Sequence, residues 1–239
     1  MSILGLFIPL RLVGKNNYRA YVTFGLLIAM LVVFFWEVIL TMRGGQPIDN
    51  YLKNYAFETC RVGHQPLTET VIDGVRAIFM TTSVVTMLIN MLFLWIFGPL
   101  VERFLGGKRY LTFFMLAGLG GYAFSVLLGN PHDCEVLWGP NSAISGLIAA
   151  FIFLYPTKRI ETNLPAFFNQ SFDFPAFLFG FVYLGIQFLS EGGGPLSGDM
   201  SPVWDELGGF LVGFIFIFLL TLFKPAPQTD PFEYLDGES

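Results

Sequence analysis

Cysteine and histidine are almost missing from this chain, with two of each in 239 residues. A disulfide-built scaffold or a repeated metal array is thereby excluded. Charge is scarce as well: Asp, Glu, Lys and Arg make up 13% of the sequence and the net charge is -5, so no basic surface exists to attract nucleic acid. The apolar opening, residues 1–10, has no basic segment before it and no small-residue cleavage site after it, and no cleaved signal peptide is expected. What the chain has instead is apolar mass. Hydrophobic residues account for 54% and Phe alone for 28 positions, far beyond the needs of a water-soluble domain of this size.

Runs long enough to cross about 30 Å of hydrocarbon, roughly 20 residues each, occur at 21–42, 77–98, 110–128 and 203–223. Two further runs, 136–155 and 174–190, are shorter or interrupted. Gly139-Pro140 delays the helix start to about Asn141 and Pro156 closes it. A helix of roughly 15 residues reaches only about 22 Å, so its N-terminus lies inside the membrane slab, where irregular backbone must be buried among helices or line a wet cavity. The expected architecture is therefore an all-α membrane protein of six transmembrane helices around a short, central fourth helix.

Flanking this membrane domain, 21–223, are an N-terminal interfacial segment, 1–20, and a tail, 224–239, that is acidic and contains proline. Arg11, Lys15, Arg19, Arg103, Lys108, Arg109, Lys158, Arg159 and Lys224 fall on one side, which is predicted to be cytoplasmic together with both termini. The opposite side holds Arg43, Lys53, Arg61 and Arg76 in one long loop, and no Lys or Arg in the loops around Asp133 and Asp199. Tyr51, Tyr55 and Phe57 in the long loop point to a packed or interfacial segment.

The stretch Asn90-Met91-Leu92-Phe93-Leu94-Trp95-Ile96-Phe97-Gly98-Pro99-Leu100-Val101-Glu102-Arg103-Phe104-Leu105-Gly106 resembles the second helix and following loop of bacterial rhomboids, with their G-x-x-x-E-x-x-x-G spacing. Gly139-Pro140-Asn141-Ser142-Ala143-Ile144-Ser145-Gly146 is similar to the family's nucleophile segment G-x-S-G-A-x-x-G. Asp205-Glu206-Leu207-Gly208-Gly209, ending at Gly213, is similar to the sixth-helix pattern A-H-x-x-G-x-x-x-G. The resemblance implies the six-helix rhomboid fold in a bacterial inner membrane. It also implies a Ser on the fourth helix whose proton passes to a His on the sixth during peptide hydrolysis.

In this sequence the nucleophile position is Asn141 and the base position Glu206; the oxyanion-supporting His is Thr86, while its partner Asn90 remains. An amide offers no useful oxyanion. Two fallback nucleophiles stand nearby. Ser142, about 100° round the helix, is expected to point away from the sixth helix, and Ser145 to lie on the face of Asn141 one turn deeper. Small Ser residues in membrane helices mostly serve close packing. Asp205 and Glu206 are read as hydrated acids at a helix start. If buried instead, Glu206 is expected to hydrogen-bond Asn141. A proton-conducting role for this pair would need a continuous wet path, whereas the acids occupy only one end of the bundle. Glu37 is left open between solvent and a partner helix.

Gly98, Glu102, Gly106, Gly146, Gly209 and Gly213 are expected to be structural, the last three bringing the fourth and sixth helices together. Cys60 and Cys134 lie in different loops on one predicted side and are candidates for a disulfide. With His64 and His132 they offer four zinc ligands in principle, but at a spacing without known mechanics, and no metal or cofactor is expected. Inactive rhomboids act as membrane adaptors, quality-control factors or regulators of client proteins. The resemblance therefore implies a pseudoprotease that binds lipids and other transmembrane proteins, or serves as a subunit of a large membrane complex. The rival expectation is an active intramembrane serine endopeptidase using Ser142 or Ser145.

Overall fold

A computed structural model describes residues 8–12, 19–44, 55–129, 134–163, 171–190 and 201–223. The tail, Lys15, Tyr51, Lys53, His132, Asp133 and Asp199 lie outside the described residues. Helices α1 (Tyr21–Gly44), α2 (Leu67–Phe79), α3 (Val84–Leu105), α4 (Gly107–Leu128), α5 (Asn141–Leu154), α6 (Ala176–Ser190) and α7 (Ser201–Thr221) dominate. Four of them, α1, α3, α4 and α7, are long and apolar enough to cross a membrane. The shorter α5 and α6 are compatible with the remaining two of six spans.

The second span is displaced from its expected limits of 77–98. Residues 77–79 end α2, an amphipathic helix, and the polar Thr81-Thr82-Ser83 interrupts the apolar run. Met80 is extended, and Ser83 caps α3 by accepting the Thr86 N–H at 3.4 Å. At the far end Pro99 does not stop the helix. Its missing N–H affects only the Trp95 carbonyl, which a helix inside a bundle tolerates. Glu102 therefore belongs to the last turn of α3 rather than to a loop.

That placement explains its burial. The first N–H groups of a helix have no partners within it. At the start of α1, Val22 N–H (3.0 Å), Thr23 N–H (2.8 Å) and the Thr23 hydroxyl (2.7 Å) all donate to the Glu102 carboxylate, which is 1% exposed. Its negative charge also faces the positive end of the α1 dipole. Gly106, at φ 78°, then turns the chain from α3 into α4 in a single residue.

The short α5 is the centre of the bundle: every residue from Ser142 to Phe151 is buried. Gly121 of α4 and Gly209 of α7 close on Ser142, and Gly213 meets the backbone of Gly146. Any side chain at 209 or 213 would collide with α5 backbone atoms. Phe97 of α3 packs on Phe151 with ring centroids 4.8 Å apart.

The helical bundle also carries short strands in two places. Residues 8–12, expected as an interfacial segment, form strand β1 (Ile8–Leu12) of an antiparallel sheet ordered β1-β4-β5, with β4 at Arg159–Asn163 and β5 at Ser171–Pro175. Alternation in Ser171-Phe172-Asp173-Phe174 is the period-two signal that the apolar-run reading overlooked. At the α2 end, β2 (Phe57–Glu58) and β3 (Val136–Leu137) make a two-rung antiparallel ladder. Next to it, Cys60 and Cys134 form a disulfide with Cα atoms 5.2 Å apart.

Candidate functional site

The start of α5 is fixed before any site chemistry begins. Gly139, at φ 101°, donates its N–H to Ala77 O (2.8 Å) and accepts the Tyr122 hydroxyl at its carbonyl (2.9 Å). A side chain is disfavoured at that φ, which accounts for glycine here. Pro140 follows, and α5 begins at Asn141.

Three polar ties then radiate from the first turns of α5. Asn141 Oδ1 accepts from Asn90 Nδ2 of α3 at 2.8 Å. Ser142 Oγ donates to Asp205 Oδ2 of α7 at 3.1 Å. Ser145 and Tyr183 of α6 share a hydroxyl–hydroxyl bond of 3.2 Å. Buried polar groups require partners, and here each tie joins α5 to a different neighbour.

Two expectations about this site are corrected. Asn141 pairs with Asn90 and not with Glu206, although Glu206 is 3% exposed and hence buried rather than hydrated. Asp205 is buried too, and its Oδ1 accepts the Glu206 N–H at 2.8 Å. Both acids lie one turn inside α7, whose first turn holds no acid. Secondly, Ser142 points toward the sixth span instead of away from it. The face of α5 that meets α7 is the 142/146 stripe, because Gly209 closes on Ser142 and Gly213 on Gly146.

Above Asn141 opens a cavity of about 180 Å³ lined by Met80, Thr81, Thr82, Ser83, Thr86, Trp138, Gly139 and Asn141. Its polar groups are hydroxyls, an amide and an indole, and no lining residue is charged. Such a lining hydrogen-bonds uncharged groups and gives an anion no compensating cation. The connector along one wall is held from below, since Thr81 N–H donates to Glu37 Oε2 at 3.1 Å. Glu37, undecided in the sequence, is a buried residue of α1 that shapes this wall. Sequence reasoning missed that role, and only the acid in an otherwise apolar span signalled it.

Neither the family's nucleophile position nor the two fallback serines presents an accessible hydroxyl to the cavity, whose hydroxyls are those of Thr81, Thr82, Ser83 and Thr86. Asn141 is an amide, and Ser142 and Ser145 are both 0% exposed. The disulfide commits the sulfurs of Cys60 and Cys134 to each other, so they are not zinc ligands in this state. His132 lies outside the described residues.

The family model described as the Rhomboid domain matches residues 69–223, from α2 to the end of α7. More than half of the sequence is covered, and the chain belongs to the rhomboid family. No curated protein matches it.

Proposed function

We propose that this chain is a rhomboid pseudoprotease of a bacterial inner membrane, with both termini cytoplasmic, that binds transmembrane partners or serves as a subunit of a membrane complex. The observation behind the proposal is the Asn141–Asn90 amide pair beneath the cavity, where a catalytic rhomboid is expected to hold a serine within reach of histidine. A paired amide neither attacks a carbonyl nor accepts its proton. The cavity is suited to an uncharged hydrogen-bonding group, such as an amide or hydroxyl of a partner helix.

Fold-level likeness leaves the chemistry to be argued from the site. The endopeptidase reading draws on the Ser142–Asp205 contact, but Ser142 is enclosed by the backbones of Gly121 and Gly209. The deciding experiment uses purified protein in detergent and a polyleucine transmembrane peptide with one central Gln. Binding without cleavage, and no labelling by a fluorophosphonate, are expected. Hydrolysis that disappears in Ser142→Ala or Ser145→Ala would overturn the proposal. Affinity purification in mild detergent is expected to recover membrane proteins with the chain.

A further inference from the structure

We propose that the Cys60–Cys134 disulfide is a redox-operated clamp on one wall of the cavity above Asn141. Three residues separate Cys134 from Trp138, the first cavity residue after that strand, and Gly139 follows directly. The intervening segment is tied to the rest of the molecule by few bonds. Its ladder with β2 has two rungs, Phe57↔Leu137 and Glu58↔Val136. Beyond them, Thr59 N–H donates to Glu135 O and Glu135 N–H to Thr59 Oγ1, each at 3.0 Å. A two-stranded ladder of this length is marginal by itself.

Packing on the strand side is partial, with Leu137 against the main core and Val136 against Ala56 and Met80. Val136 and Leu137 are only partly buried and Trp138 is 37% exposed. Opposite them, Phe57 is anchored by stacking on Tyr122, with centroids 5.2 Å apart. The disulfide thus fastens a loose strand to a firm one. Glu135 works against closure: both its carboxylate oxygens are buried with no hydrogen-bond partner among the described residues. Burying a carboxylate without partners is costly, so the closed position leans on the covalent link.

The link is reachable. Cys60 and Cys134 are both exposed, and exposed disulfides are the ones open to thiol exchange. The reaction partner is a dithiol reductant. One of its thiolates attacks Sγ of either cysteine, the Cys60–Cys134 bond breaks, and the second thiol resolves the mixed disulfide. Two electrons and two protons pass to the chain, giving two thiols, while the reductant becomes a disulfide.

With the bond closed, the wall carrying Trp138 is held in place and a ligand meets a preformed cavity. With it open, residues 134–138 gain a local opening that does not involve the rest of the bundle. The loss of ligand affinity that follows rests on the binding function proposed above, whereas the mechanical clamp does not.

Hydrogen exchange on the full chain in detergent, before and after complete reduction confirmed by mass, separates the two. Exchange in residues 134–138 is expected to rise about tenfold or more, with α4, α5 and α7 unchanged. The Cys60→Ala/Cys134→Ala variant should reproduce the reduced pattern. Unchanged exchange in 134–138 would overturn the clamp, as would a uniform rise throughout the bundle, which marks a general staple. Binding of the Gln-bearing polyleucine peptide is measured in both states. A peptide that binds neither state defeats the binding function and leaves the exchange result standing, and one that binds both equally removes the regulatory consequence.

Discussion

The two sides of α5 differ in how they are held. Toward α4 and α7, glycine backbones touch and a buried Ser142–Asp205 hydrogen bond crosses the seam. Toward the cavity, the walls are a polar connector held by Glu37 and a two-rung strand pair closed by a disulfide. The first side has no room for a methyl group, and the second encloses about 180 Å³. At the tight seam Gly146, Gly209 and Gly213 keep the family's glycines while Ser142 and Asp205 replace its Gly and Ala, and at the cavity Asn141 and Thr86 replace its Ser and His. Close packing and acyl-transfer chemistry are thus separable demands on one helix.

Substitutions can break that contrast in graded steps. Gly209→Val places a side chain on the Ser142 backbone and is expected to lower stability by about 3 kcal/mol or more, read by unfolding in detergent. Replacing Glu102 by Ala strips three donors at the α1 start of their acceptor and should cost about 2–3 kcal/mol in the same measurement. For Ser142→Ala, which removes one donor from Asp205, about 1 kcal/mol is expected, with peptide binding unchanged. A larger loss of binding than of stability would show that the seam and the cavity are coupled. Thr86→Val lies on the open side. Its effect on stability should stay under about 0.5 kcal/mol. Peptide binding should weaken about fivefold, the equivalent of one hydrogen bond of about 1 kcal/mol.

Legibility in the sequence followed the strength of the local signal. The limits of α5 were readable because Gly139-Pro140 and Pro156 act on the backbone directly. The start of α3 was not, since three small polar residues between two apolar runs look like one continuous run when hydropathy is averaged over a window. The orientation of Ser142 was misjudged by placing the sixth span against Asn141. The spacing itself held the answer: glycines at 209 and 213 are four apart, and their match on α5 is 142 and 146. The partner of Asn141 is Asn90, 51 positions earlier on another helix, a contact set by how α3 and α5 pack and not by local sequence. Strand pairing across the sheet joins residues more than a hundred positions apart, beyond any local pattern.

The carboxylate of Glu102 has a consequence for the order in which the molecule is assembled. As the chain is synthesised, the first turn of α1 is made some eighty residues before its capping group exists. Until the end of α3 arrives, the exposed amides of that first turn depend on water or lipid headgroups, so the first helix should stay near the membrane surface at that end. Its final seat is settled only when the second long helix has entered beside it, which makes insertion of these two helices a joint event.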